Sequence, residues 1–143
     1  MKFHPNHLCQ QKENPNNNMV IGSEEKVGVA HGHSWPSQEV ISCGRIVMGH
    51  SHFRYEMRDR FGGRSKEAVW LFAKYDVGKL LKKAGFPIRS HETGEIIVMP
   101  PFNNLVGGQA INAKGGFDFG PVLSSGTVDV KSADIFLLDG TRV

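Results

Sequence analysis

Cysteine is scarce in this chain of 143 residues, and long apolar runs are lacking. The two cysteines, Cys9 and Cys43, do not form a CxxC pair, so the sequence suggests neither a disulfide framework nor a thiolate zinc site. No apolar run approaches membrane length, and the first residues lack the apolar core of a signal sequence. We therefore expect a reducing, cytoplasmic setting and no membrane partner.

A strong excess of one charge sign is also lacking. The formal net charge of +3 and the isoelectric point near 9.0 permit nucleic acid as a partner without arguing for it. With 39% apolar residues, the chain is long enough for one domain with a core and too short for two. Residues 1–18 are polar and have no helical or strand period, which predicts a disordered arm before a folded domain over residues 19–143.

The rest of the sequence alternates short strands with short helices, which is typical of the α/β class. Strands are predicted over residues 19–21, 26–30, 45–48, 53–60, 67–73, 95–99 and 134–138. Helices are predicted over residues 37–43 and 77–84, the second with a glycine stop. Residues 102–126 are rich in Gly and Asn and are predicted to be mostly loop.

Histidine is concentrated in two short loops, each of which follows an apolar strand. The first loop holds His31 and His33, and the second holds His50 and His52. Neutral imidazole is the commonest protein ligand for zinc-like metals, and two histidines two residues apart can aim at one ion or at two neighbouring ions. A metal site is therefore the first hypothesis, although Asp and Glu are scarce near these loops.

The strand order brings the two loops together if the strands that precede them are parallel. Both loops then emerge at the carboxyl-end edge of the sheet, so that His31 and His50 become neighbours. The other histidines, His4, His7 and His91, have no supporting context, and we interpret them as surface residues.

Four arginines lie near the second histidine loop, in the predicted hairpin: Arg54, Arg58, Arg60 and Arg64. They could attract phosphate, but a solvated strand face that includes acidic residues explains them more simply.

Taken in order along the chain, several short motifs resemble the C-terminal half of the calcineurin-like metallophosphoesterases. The closer likeness is to the archaeal phosphoesterases related to the SbcD nucleases, and it covers residues 19–143. The motifs that carry it are His31-Gly32-His33, His33-Ser34-Trp35-Pro36, Gly49-His50-Ser51-His52, the segment 98–104 with Gly107-Gly108, and Leu137-Leu138-Asp139-Gly140-Thr141.

The resemblance implies a fold, a chemistry and a set of ligands. The fold would be the C-terminal half of a layered αββα sandwich, with mixed sheets and few short helices. In the family, two metal ions bridged by an aspartate and a hydroxide hydrolyse a phosphoester. His31 and His50 match ligands of the second metal, and His52 matches a ligand of the first. His33 is the candidate catalytic residue, which lines the pocket or hydrogen-bonds a ligand.

The resemblance also implies the cofactor and the partners. The cofactor is a divalent ion, Mn²⁺ before Zn²⁺, Fe²⁺ or Ni²⁺, with two ions in the intact family site and one or none here. The substrate is a phosphoester, of which nucleotides and nucleic acids are examples. The polypeptide partner is a second copy of the chain or the missing N-terminal half.

The sequence departs from the family in its first motifs. Asp-x-His, Gly-Asp-x-x-Asp and Gly-Asn-His-Asp/Glu are lacking, and Asn6-His7 is at most a fragment of the last. The expectation is therefore a phosphoesterase chain that starts inside the family's domain. Two alternatives stay open: a non-catalytic remnant or partner subunit that binds at most one metal, and a mononuclear zinc protein whose ligands are His31, His50 and His52.

Overall fold

Short strands dominate the computed structural model, which describes residues 18–115 and 119–143. In those residues the strands are β1 (Met19–Ile21), β2 (Val27–Ala30), β3 (Arg45–Met48), β4 (Arg54–Arg58), β5 (Arg64–Asp76), β6 (Thr93–Val98) and β7 (Val128–Leu137). The helices are α1 (Gln38–Ile41), α2 (Val77–Lys83) and α3 (Gly120–Leu123). Residues 1–17, which hold most of the predicted arm, lie outside the described residues.

One mixed sheet connects all of these strands. The order is β1-β2-β3-β6-β5-β4, and β7 also pairs with β5. The pairs β2–β3 and β3–β6 are parallel, whereas β1–β2, β5–β6, β4–β5 and β5–β7 are antiparallel. The α/β class is thus confirmed, and so is the parallel pairing of the two strands that lead into the histidine loops.

The helices lie on one face of this sheet, over the hydrophobic core. Gly28 in β2 lies directly under α1, because a Cβ atom placed on it would come within 2.8 Å of the Cγ1 atom of Val40. From β5, the buried phenol of Tyr75 donates a 2.8 Å hydrogen bond to the carbonyl of Ile41 at the end of α1. Because Gly28 has no side chain and Tyr75 is long enough to reach Ile41, α1 packs closely on the strands.

The opposite face has no helix over it in the described ranges. Side chains alternate between the two faces along a strand, and directly paired residues share a face. Pairs on this second face join Val29 to Val47, Val47 to Ile97, and Ile97 to Phe72. We call this surface the open face. Ile21 and Val27 lie on it at one corner, and seven further apolar members define it: Met19, Val29, Val47, Ile97, Trp70, Phe72 and Phe136. These seven are half-buried and lie outside the packed core cluster.

The predicted strands and helices are present, although their ends differ; β5, for example, covers Arg64–Asp76 where residues 67–73 were predicted. Asn18, which we placed in the disordered arm, is only 5% exposed. The strand predicted over residues 134–138 is longer, because β7 begins at Val128 and a β-bulge opposite Phe72 and Lys74 interrupts its alternation. Within the predicted loop over residues 102–126, the short helix α3 begins at Gly120.

The two-sheet layering of the sandwich is not part of what the structure describes. Residues 18–115 and 119–143 form a single sheet with helices on one side. Within those residues, no helix combines the length and the apolar character needed to cross a bilayer.

Tyr75 makes the stability of this fold sensitive to alkaline pH. Burial raises the pKa of its phenol above the ordinary value of 10.0. Below pH 10 both the folded and the unfolded chain keep the proton. Above pH 10 the unfolded chain loses the proton first, so the free energy of unfolding falls with rising pH.

We predict that Tyr75→Phe costs about 1 kcal/mol at pH 8, because the hydrogen bond to Ile41 is lost. The variant should lose less stability than the wild type between pH 9 and 11, which urea unfolding at several pH values measures. Tyr55→Phe in β4 is the matched control, since that tyrosine is only half-buried. Parallel pH profiles for wild type and Tyr75→Phe would contradict the prediction.

Candidate metal centre

The parallel pairing of β2 and β3 determines where the histidine loops begin. The last paired residues are Ala30 and Met48, so His31 and Gly49 leave the sheet side by side. The pairing continues beyond the strands, because the carbonyl of His31 accepts hydrogen bonds from the backbone N–H groups of Gly49 at 3.2 Å and His50 at 2.9 Å. The two loops are therefore held together at the carboxyl-end edge of the sheet, as the strand order predicted.

A third segment packs against the two loops at the start of α3. The hydroxyl of Ser51 donates a 3.3 Å hydrogen bond to the carbonyl of Phe119. Next to it, the Cβ position of Gly120 lies 3.7 Å from the Cδ2 atom of His50. The Gly- and Asn-rich sequence predicts a loop here and does not indicate that this segment reaches the site. The Gly-Pro pair at residues 120–121 was the one local signal of a helix start there.

Three imidazole rings meet at this edge. The ring centroid of His31 is 5.1 Å from that of His33 and 5.1 Å from that of His50, while His33 and His50 are 6.1 Å apart. His31 and His33 are exposed and His50 is half-buried, so the cluster opens to solvent. Gly32 allows this arrangement, because it has a φ of 109° and a Cβ atom there would lie 3.1 Å from the Cβ atom of His50.

His52 lies at the margin of this cluster. Its backbone has a φ of 45°, and its N–H group donates a 3.3 Å hydrogen bond to the carbonyl of Gly49, which closes the turn. A left-handed conformation is uncommon for a residue other than glycine, so the turn holds His52 in a costly backbone geometry. The charge of His52 still acts on His31, although less than the charges of His50 and His33 do.

The electrostatics of the cluster favour a neutral His31. Partial burial lowers the pKa of this imidazole below its ordinary value of 6.5, and the positive charges that His50, His33 and His52 would carry lower it further. The groups that shift this pKa are all histidines, so a carboxylate does not stabilise the protonated ring. A neutral imidazole is the form that ligates a metal ion.

The two acidic residues that follow the second histidine loop, Glu56 and Asp59, are held elsewhere. Glu56 in β4 forms an ion pair with Arg58 at 3.1 Å and lies 4.0 Å from Arg64. Asp59 accepts hydrogen bonds from the backbone N–H groups of Phe61 and Gly63 in the hairpin turn. These contacts support the interpretation of this hairpin as a solvated strand face.

Arg54 also has a structural role. Its guanidinium donates to the carbonyls of Lys66 at 3.4 Å and Val106 at 3.3 Å. It therefore ties the loop after β6 to the β4–β5 hairpin.

Two of the three distances between ring centroids are those expected for imidazoles that bind the same metal ion. An imidazole nitrogen lies about 2.1 Å from a bound zinc ion, which places its ring centroid roughly 3.2 Å from the ion. Two such rings at the tetrahedral angle have centroids about 5.2 Å apart. The pairs His31–His33 and His31–His50 have this spacing. Across the described residues, however, no three His, Cys, Asp or Glu side chains are arranged as a ready ligand group, so rotation of the exposed rings is required.

Comparisons of the chain with protein-family models, with curated proteins and with solved structures find no match. The hypothesis of a metal centre therefore depends on the histidines and their geometry.

We predict that the 143-residue chain binds Zn²⁺ and Mn²⁺ at this edge. His31→Ala, His33→Ala and His50→Ala should each weaken binding at least about tenfold, because each removes an imidazole from the cluster. Titration calorimetry with the chelator-treated protein measures the effect.

His91→Ala is the matched control for this experiment. His91 is exposed and precedes β6, so it lies at the amino-end edge of the sheet, away from the cluster. Equal weakening by His91→Ala would show that the ions bind histidines unspecifically. A loss with His52→Ala and none with His33→Ala would select the ligand set His31, His50 and His52.

Proposed function

We propose that this chain is part of a metal-dependent phosphoester hydrolase of the calcineurin-like, SbcD-related type, and that its histidine edge holds a divalent ion. The observation that carries the proposal is the convergence of His31, His33 and His50 at the carboxyl-end edge of parallel strands. Ligands collect at this edge in open α/β sheets. The resemblance in the sequence supplies the reaction class, and the ring cluster supplies a site that suits it.

His31 and His50 are the two ligands on which the resemblance and the geometry agree. The resemblance assigns both to one ion, and their rings are 5.1 Å apart. The resemblance and the ring geometry assign the third ligand differently. The resemblance gives His52 to a second ion, whereas the ring contacts favour His33 as the third imidazole on the first ion. His33 thereby becomes a candidate ligand as well as the candidate catalytic residue.

A divalent ion at this position would polarise a phosphoryl oxygen and lower the pKa of a bound water to about 7. The chain's own groups prepare the site for the ion. The carbonyl of His31 fixes the start of the second loop through its bonds to Gly49 and His50. The lowered pKa of the His31 imidazole leaves its nitrogen free of a proton at neutral pH. Because His31 and His33 are exposed, a phosphoester can reach the cluster from solvent.

Charge balance favours one ion rather than two. Two divalent ions a few ångströms apart need bridging and terminal carboxylates, because neutral imidazoles do not offset their mutual repulsion. Glu56 and Asp59 are engaged in the hairpin. This favours a second candidate function, a subunit that binds one metal and hydrolyses phosphoesters only with a partner that supplies carboxylates.

We predict that loading the chain with Mn²⁺ raises its affinity for orthophosphate, which is the product of phosphomonoester hydrolysis and an analogue of the monoester that a diester leaves. The ion gives phosphate oxygens a positive charge to bind, so affinity should rise at least about tenfold over the metal-free chain. The gain should vanish in His50→Ala and persist in His91→Ala, as phosphate titrations measure. Metal binding without any gain for phosphate would overturn the phosphoesterase proposal and leave a structural metal site.

We also predict that the chain alone hydrolyses bis(p-nitrophenyl) phosphate barely above background with Mn²⁺. One ion without a carboxylate-bridged neighbour lacks the clamp for both the attacking and the leaving oxygen. Release of p-nitrophenol measures the rate, and metal analysis should give one ion per chain. Manganese-dependent turnover that His50→Ala abolishes, with two ions per chain, would contradict the one-ion interpretation.

A further inference from the structure

The open face is an apolar surface that extends across the sheet. The seven apolar side chains that define it come from six neighbouring strands, β1, β2, β3, β6, β5 and β7. The rings of Phe72 and Phe136 meet edge to face, with centroids 5.6 Å apart, so the aromatic end of the face is ordered. In the described ranges the helices pack on the opposite face. Contiguous apolar surface of this extent is typical of an interface.

A row of alternating charges borders the apolar residues of the open face. Arg45 in β3 is paired with Glu95 in β6, Glu95 with Lys74 in β5, and Lys74 with Asp129 in β7. Glu95 forms ion pairs with Arg45 at 3.5 Å and with Lys74 at 3.1 Å. The side chains of Arg45 and Lys74 are 51% and 67% exposed. Across the four strands, the signs are therefore plus, minus, plus, minus.

A second copy that presents this row in the reverse order places an opposite charge against each charge of the first copy. A two-fold axis that lies parallel to the strands, between β6 and β5, reverses the order of the strands in a second copy and keeps their direction. Arg45 then lies opposite the second copy's Asp129, and Glu95 lies opposite the second copy's Lys74. Each residue of the row thus faces the opposite charge, as an isologous interface requires.

We propose that the open face binds a second copy of this chain, in a two-fold dimer packed sheet to sheet about this axis. Aligned sheets pack about 10 Å apart, with apolar side chains interdigitated between them. Ile97 then meets the second copy's Phe72 at the centre. The same operation places Val47 opposite the second copy's Asp134, whose carboxylate lies near the edge in β7 and is already paired with Arg142. The dimer does not depend on the metal site.

The first experiment measures the oligomeric state of the full chain by sedimentation equilibrium. The wild type is expected to be a dimer, and Val47→Asp should weaken dimerisation at least about tenfold by placing a charge in the apolar surface. Leu105→Asp is the matched control, because Leu105 is 96% exposed in the loop after β6 and is not a strand residue of the open face. Circular dichroism of each variant reports whether the fold is kept.

The second experiment separates contact between chains from damage to one chain. In the dimer, Lys74→Glu places the new glutamate opposite Glu95 of the other copy. Glu95→Lys places the new lysine opposite Lys74 of the other copy. Because of the two-fold axis, each repulsive contact occurs twice. Each variant alone should dimerise at least about tenfold more weakly than the wild type, because like charges then meet across the interface. An equimolar mixture of the two variants should recover dimers. In the mixed dimer the two substituted side chains face each other with opposite charges, and so do the two native ones.

Recovery in the mixture supports the proposal, since mixing does not relieve repulsion within a chain. A monomeric wild type with a cooperative melt would overturn it. A dimer that withstands Val47→Asp, or a mixture that recovers nothing, would also overturn it, because the interface would then lie elsewhere. His50→Ala should dimerise like the wild type, so failure of the metal proposal leaves this result unaffected.

Discussion

The parallel pairing of β2 with β3 is the constraint on which the rest of the structure depends. It places the ends of the two strands in register at Ala30 and Met48, and the carbonyl of His31 extends the pairing into both loops. Two loops that are distant in the chain thereby share two backbone hydrogen bonds. On its other side β3 pairs in parallel with β6, so the sheet has one edge at which three parallel strands end. Without the pairing of β2 with β3, the histidines would be exposed turn residues with no common centre.

The sequence was sufficient to predict the parts of the fold that local chemistry determines. The helices predicted over residues 37–43 and 77–84 are present as α1 and α2, which the structure shows capped by the side chains of Ser37 and Asp76. The Gly-rich turn at residues 61–64 joins β4 to β5 as the predicted antiparallel hairpin. The apolar runs before the histidine loops became adjacent parallel strands. In each case a residue type with one preferred backbone role occurred at the position where that role was needed.

Long-range contacts account for what the sequence did not predict. The length of β7 depends on a bulge opposite Phe72, which breaks the alternating pattern that reveals a strand. The contact of Phe119 with Ser51 joins residues 68 positions apart, and neither residue type suggests it. The position of the His33 ring beside His31 and His50 depends on loop geometry that periodicity does not report. In the described residues, helices cover only one face of this sheet, and an apolar strand pattern does not indicate by itself that the other face is left uncovered.

The histidine edge and the charged row occupy opposite ends of the same strands. Arg45 is the first residue of β3, whereas Met48 ends β3 next to the second histidine loop. A two-fold axis parallel to the strands keeps their direction, so both histidine edges of a dimer lie at the same end of the assembly. Sheet-to-sheet packing covers Val47 and Ile97 but leaves the exposed rings of His31 and His33 at an open rim. Burial of the open face and access to the proposed metal centre are therefore compatible, because the exposed rings lie beyond the ends of the strands and the charged row lies at the opposite end.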